Sequence, residues 1–223
     1  LSETTCQSSR PQNCYEAAQA NEKTDIAKAL LFAQKGCDAD DQKSCVKLGY
    51  YLLQGMGTPQ SPQQANLIFS KACEQKEGLG CFNIALLHLE GREREKDAGR
   101  AMNFFSQACQ YGDHRGCLQG GRLALSSQKK EEAFALFEKG CALQNMETCA
   151  QWAFHLSSGT DSEQKQASDL FQQSCNLGHA KSCFNYALML HKGNGLPANP
   201  KRAVQYMERA CTLGDTQACS LRK

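Results

Sequence analysis

No stretch of this sequence is apolar for long enough to cross a membrane, and a formal net charge of +2 leaves no basic excess to hold nucleic acid or an anionic lipid surface. Basic clusters interleaved with stacking aromatics, which a nucleic-acid groove requires, accumulate nowhere. G-x-S-x-G, H-E-x-x-H and Walker motifs are missing, so hydrolase, metalloprotease and nucleotide-handling mechanisms have no basis in the sequence. Structural zinc sites bring paired ligands together across about two to four residues, and neither C-x2-C nor C-x4-C occurs. The same absence removes a redox C-x-x-C. His88, His114, His155, His179 and His191 follow no ligand rhythm, so no metal or cofactor is expected.

What is present is cysteine, 14 residues of it: Cys6, Cys14, Cys37, Cys45, Cys73, Cys81, Cys109, Cys117, Cys141, Cys149, Cys175, Cys183, Cys211 and Cys219. Taken in order they form seven pairs, every one C-x7-C, with none left over. An even count at fixed spacing reads as a disulfide framework, which persists in oxidising compartments. The expected location is therefore periplasmic or secreted. The chain opens at Leu1 without a methionine or an apolar signal segment, as a chain whose export signal has been removed would, and as a trimmed chain would equally.

From the first cysteine of one pair to the next, the intervals are 31, 36, 36, 32, 34 and 36 residues, and periods in this range mark arrays of helical hairpins. Eight residues before the first cysteine stands alanine in six units (Ala29, Ala65, Ala101, Ala133, Ala167, Ala203), and four or five before it stand Phe32, Phe69, Phe104, Phe137, Phe171 and Tyr206. The residue directly before that cysteine is always small. These offsets lie on one face of an amphipathic helix. After the second cysteine another helix begins, with a small residue four places on: Ala18, Gly49, Ala85, Gly121, Ala153 and Ala187. Between the cysteines, "NLGHAKS", "TLGDTQA" and "QYGDHRG" carry a glycine able to close a helix in the left-handed conformation. A Ser, Thr or Asn just before the second cysteine, such as Ser44, is expected to cap the next helix.

Hairpins are thus expected at approximately 14–37, 45–73, 81–109, 117–141, 149–175 and 183–211 of one array spanning 1–223. Two cystine connectivities fit antiparallel hairpins. Pairing within hairpins, Cys45 with Cys73 and so on, orphans Cys6 and Cys219, whereas C-x7-C pairing uses all 14 and is preferred. In the loop-entropy model each such ring contributes about 2–3 kcal/mol.

The segment "SCFNYALMLHKGNGLPANPKRAVQYMERACTLGDTQAC" resembles the Sel-1-like repeat family, a relative of tetratricopeptide repeats, and in particular its cysteine-rich secreted members, the Helicobacter cysteine-rich proteins. The likeness covers approximately residues 14 to 219. Its G-x-G loop stands as Gly55-Met56-Gly57 and Gly193-Asn194-Gly195, and departs to "GREREK" and "SSGTDS" in the third and fifth units. The resemblance implies an all-α, right-handed α-solenoid of about six disulfide-linked antiparallel hairpins. It also implies a non-enzymatic role, binding a protein or peptide on a concave face, with no nucleic acid, no membrane insertion and a monomer in isolation.

Positions left over from helix packing supply a candidate surface. Two residues after the second cysteine, four successive units carry a carboxamide, Asn83, Gln119, Gln151 and Asn185, able to donate to and accept from a peptide backbone. Three residues further on stand Tyr50, Arg122 and Phe154, which are anchor types at interfaces, with Leu86 and Leu188 at the same offset. The plainer reading makes the amides ordinary polar residues and Leu86, Phe154 and Leu188 packed core. Two alternatives follow from the resemblance: an immunity protein neutralising a toxic secreted effector such as a type VI lipase, and a penicillin-binding or β-lactamase-like protein. For the last, Ser44–Lys47 and Ser126–Lys129 match S-x-x-K, but K-T-G and S-D-N are missing.

Overall fold

Every cysteine is joined to the one eight positions away, with Cα–Cα separations of 4.4 to 4.7 Å, in a computed structural model that describes Cys6 and residues 12–91 and 95–221. The hairpin-internal connectivity does not occur. Thirteen helices and no strand are present among the described residues: α1 (Gln12–Asn21), α2 (Ile26–Asp38), α3 (Gln42–Gln54), α4 (Pro62–Glu74), α5 (Gly78–Glu90), α6 (Ala98–Gln110), α7 (His114–Ser126), α8 (Lys130–Ala142), α9 (Met146–Leu156), α10 (Asp161–Asn176), α11 (Ala180–Lys192), α12 (Pro200–Thr212) and α13 (Thr216–Ser220).

The helices group into two compact units, residues 1–123 and 124–223. In the first, each helix from α1 to α6 packs on the next, and α3 also touches α1 and α5. In the second, α8 through α13 pack in the same successive way. Such a helix-on-next-helix stack is the local architecture of an α-solenoid.

The alanines eight before the cysteines are all buried, as are the rings of Phe32, Phe69, Phe137 and Phe171; in the third hairpin the fully buried ring is Phe105 rather than the expected Phe104, which is half-buried like Tyr206. How ring and small residue interlock is visible at Gly49, where an added Cβ would stand 2.6 Å from the Phe69 ring. The two residues preceding the cysteines of a pair also meet. A Cβ on Gly116 would lie 2.6 Å from that of Ala108, and one on Gly80 2.8 Å from that of Ala72. Where the second helix carries the larger Ser44 or Thr148, the first carries glycine, Gly36 or Gly140. In these two pairs the exchange of volume keeps the cystine-linked helices in close approach.

The turn between the cysteines has one form in the six pairs from Cys37–Cys45 to Cys211–Cys219, whose turns are described. The third residue after the first cysteine is left-handed, and its N–H donates to that cysteine's carbonyl at 2.8 to 3.1 Å. Three units place glycine there (Gly112, Gly178, Gly214), but the others hold Asp40 (φ 64°), Lys76 (φ 63°) and Gln144 (φ 59°). A left-handed residue with a Cβ costs roughly 1–2 kcal/mol. Lys76→Gly is therefore expected to raise stability by about 1 kcal/mol, read as a higher urea midpoint, and an unchanged midpoint would show that the side chain carries no strain there.

The next residue is the cap of the following helix. Asp41, Asn145 and Asp215 accept the N–H groups of Ser44, Thr148 and Ala218. Ser44 is thus not the cap expected from its place before Cys45. It sits one turn inside α3, and its hydroxyl donates back to Asp41 Oδ2 at 2.5 Å; Thr148 does the same to Asn145 at 2.7 Å. The three-residue turn leaves no room for a cap nearer the second cysteine.

Candidate protein-binding grooves

In the first unit the helices that follow the second cysteines line a groove of about 410 Å3. Tyr15 comes from α1, Lys47 and Tyr50 from α3, Phe82 and Asn83 from α5, and Arg115 from α7. Counted from the second cysteine, these lie at offsets of minus two (Arg115), one (Tyr15, Phe82), two (Lys47, Asn83) and five (Tyr50). That is the i, i+3, i+4, i+7 stripe of a helix.

Its cations are held in place by carboxylates. Lys47 Nζ is 2.6 Å from Glu22 Oε2, with both side chains mostly shielded from solvent, and lies 5.8 and 5.4 Å from the ring centroids of Tyr50 and Tyr51. Arg115 makes a fork to Asp113, Nε to Oδ1 at 2.9 Å and Nη2 to Oδ2 at 2.5 Å, and its guanidinium sits 5.0 Å over the Phe82 ring. Beneath them Tyr51 is fully buried, and burial first, then the Glu22 carboxylate, raises its phenol far above the usual range. The groove thus carries aromatic rings beside two cations, each paired with a carboxylate.

Of the residues singled out from sequence, Tyr50 and Asn83 meet in this groove, with Tyr50 exposed and Asn83 half-buried. Gln119 is half-buried and Arg122 exposed on α7, but the α7 wall of the groove is Arg115. In the second unit Phe154 and Asn185 meet in a smaller groove of about 200 Å3, together with Leu188 and Lys192. Phe154 is 58% exposed, so the packed-core reading fails for it. Its ring meets that of His155 at 83°, and the His155 ring stacks on Phe137 at 6.1 Å; burial, then Lys130, lowers the His155 pKa. Two amides do not have all their donors to spare. Asn83 Nδ2 donates to Leu79 O at 2.9 Å, and Gln151 Nε2 to Glu147 Oε1 at 3.1 Å. Tyr15, Phe82 and Arg115 escaped the sequence reading, which followed one recurrent residue type; extending the helical stripe to offsets of minus two and one would have found them.

Both S-x-x-K lysines face a carboxylate. Ser44 is completely buried with its hydroxyl committed to Asp41, while Lys47 faces Glu22. Lys129 pairs with Glu132 at 3.1 Å. No group of three or more His, Cys, Asp or Glu that could hold a metal stands among the described residues, and none of their helices is long and apolar enough to cross a membrane.

The Sel1 repeat model matches residues 13–41, 42–77, 78–113, 117–145 and 180–215. No curated protein matches the sequence. Among solved structures, the chain is similar to c5321, a protective antigen of uropathogenic Escherichia coli displaying an SLR fold, with a TM-score of 0.75 at 19% identity over 95% of this chain and 48% of that one. A Sel1 repeat protein from Oxalobacter formigenes gives 0.73 at 18% identity, over 95% and 64% of the respective chains. The chain therefore spans about half to two thirds of these two relatives. The immunity protein Pa5087 from Pseudomonas aeruginosa gives 0.56 at 15% identity, over 93% and 83%. At these identities the likeness is one of fold.

Proposed function

The chain belongs to the Sel1 repeat family, and from that premise we propose that it is an exported, non-enzymatic repeat protein that binds a protein or peptide partner in the groove of α1, α3, α5 and α7. The observation that carries this reading is the groove itself, in which Tyr15, Tyr50, Phe82 and Arg115 converge from four successive first helices. Tyr and Arg are the residue types that dominate binding energy at interfaces, and here the Lys47–Glu22 and Arg115–Asp113 pairs hold the rim before any partner arrives. Asn83 keeps its Oδ1 to accept from a backbone N–H. Seven cystines suit a periplasmic or secreted location, where they would not be reduced.

Partner capture from periplasmic and secreted extracts, followed by affinity measurement on the identified partner, tests the reading. Tyr50→Ala is expected to cost about 2 kcal/mol of binding and Asn83→Ala about 0.5–1.5 kcal/mol, with thermal stability unchanged. Phe154→Ala with Asn185→Ala asks the same of the second unit. Full affinity in the Tyr50→Ala/Asn83→Ala double variant would move the binding site elsewhere.

A second reading makes the partner a toxic secreted effector and this chain its immunity protein, supported by the fold shared with the Pseudomonas aeruginosa immunity protein. An effector gene adjacent to this one, and loss of protection on Tyr50→Ala, would favour it over a general adaptor.

A further inference from the structure

The first unit has another groove, walled by α2 and α4 with α3 as its floor, and its volume is about 940 Å3. Leu30 and Leu31 line one wall, Leu67 and Ile68 the other, and Leu48 and Leu52 the floor. Leu31 is 43% exposed and Leu67 is 71% exposed, more than any other large apolar side chain among the described residues. Both stand six residues before their cysteines. The four later hairpins hold Asn103, Ala135, Asp169 and Gln205 at that position, so building the hairpin does not call for leucine. The neighbouring groove between α4 and α6 shows the contrast, since its walls carry Asn66, Ser70, Asn103 and Gln107.

Charge gives the apolar groove a direction. Asp38 and Asp40 line it at the C-terminal end of α2, where the helix carbonyls add negative potential, against one cation, Lys71, 3.6 Å from Asp40. Apolar walls also select the backbone of an occupant. An extended segment would bury unpaired N–H and C=O groups against leucine, whereas a helix satisfies its own.

We propose that this groove docks an amphipathic α-helix of a protein partner, with its apolar stripe between Leu31 and Leu67 and a lysine or arginine at the end that meets Asp38 and Asp40. The surface is distinct from the groove that contains Tyr50 and does not rest on its role.

The test uses the disulfide-intact chain and a fluorescein-labelled amphipathic peptide with leucine at i, i+3, i+4 and i+7, made with arginine or with glutamate at its termini, read by fluorescence anisotropy. The arginine version is expected to bind, and Leu31→Asn/Leu67→Asn to weaken it by about tenfold or more without lowering the melting temperature, as befits side chains this exposed. Asp38→Asn/Asp40→Asn is expected to remove the preference for arginine over glutamate, while Tyr50→Ala leaves binding unchanged. Absence of binding by either peptide, or binding indifferent to Leu67→Asn, would overturn the proposal. So would self-association of the free chain that Leu67→Asn abolishes, since the groove would then be a contact between copies.

Discussion

Gly195→Ala is expected to destabilise the second unit by about 2–5 kcal/mol, the sum of a left-handed backbone penalty and an overpacking penalty. Gly195 has φ +71°, and a Cβ there would overlap the Gln164 carbonyl and stand 2.5 Å from Lys165 N. Those are backbone atoms of α10, the second helix of the preceding hairpin, and no rotamer change can move them aside. Two comparisons separate the terms. Gly178 is also left-handed, at φ +92°, but a Cβ on it meets nothing within 4 Å; Gly57 holds the corresponding loop position in the first unit, at φ +69°, with its nearest neighbours, Ile26 Cγ1 and O, at 3.4 Å. Gly178→Ala and Gly57→Ala should therefore cost only the backbone term, roughly 1–2 kcal/mol. Urea midpoints that fall equally for all three variants would mean that the loop at Gly195 is free to lift away from α10.

This contact gives a physical meaning to the second glycine of the G-x-G loop, which the sequence displays without explaining. The first glycine ends the helix, as Gly55 and Gly193 do by taking the left-handed conformation, while the second lets one hairpin's loop approach the hairpin before it. Features fixed by covalent or steric necessity were legible in this way. The C-x7-C pairing follows from arithmetic, and the buried Ala29, Ala65 and Ala101 from helical offsets. Features set by backbone geometry were not. Nothing about Lys76 announces a left-handed residue, because only its place in a turn of fixed length puts it there. The same turn moves the cap from Ser44 to Asp41. The grooves fall between these cases. Asn83 and Tyr50 stood at the two offsets the sequence reading followed, whereas Arg115 recurs nowhere at its offset and is reached only by extending the helical stripe to minus two; its fork to Asp113 and its place over Phe82 are seen only in the structure. In the third unit's "GREREK" loop, residues 92–94 lie outside the described residues.

Removing one cystine is expected to cost different amounts at different places along the chain, even though every ring has the same length. The chain-entropy contribution, about 2–3 kcal/mol, depends on the number of residues enclosed and is therefore common to all seven. What differs is burial. Cys109 and Cys117 are both fully buried, whereas Cys211 is half-buried and Cys219 exposed. Cys109→Ala/Cys117→Ala should lose the ring term and also leave a cavity against Ala108 and Gly116, bringing the total to about 3–5 kcal/mol. Cys211→Ala/Cys219→Ala should lose little beyond the ring term. Urea unfolding followed by circular dichroism measures both, and the difference between the two double variants isolates packing, since their entropic parts cancel. If the exposed pair cost as much as the buried one, the sulfur atoms would contribute nothing to the core and the cystines would act on the unfolded chain alone. Complete reduction would then lower stability by the same step for every repeat. If instead the buried pair costs more, the cystines also fill the interface between each helix and the next, which is how a thin array of hairpins with little core of its own keeps the Tyr50 groove in a fixed shape.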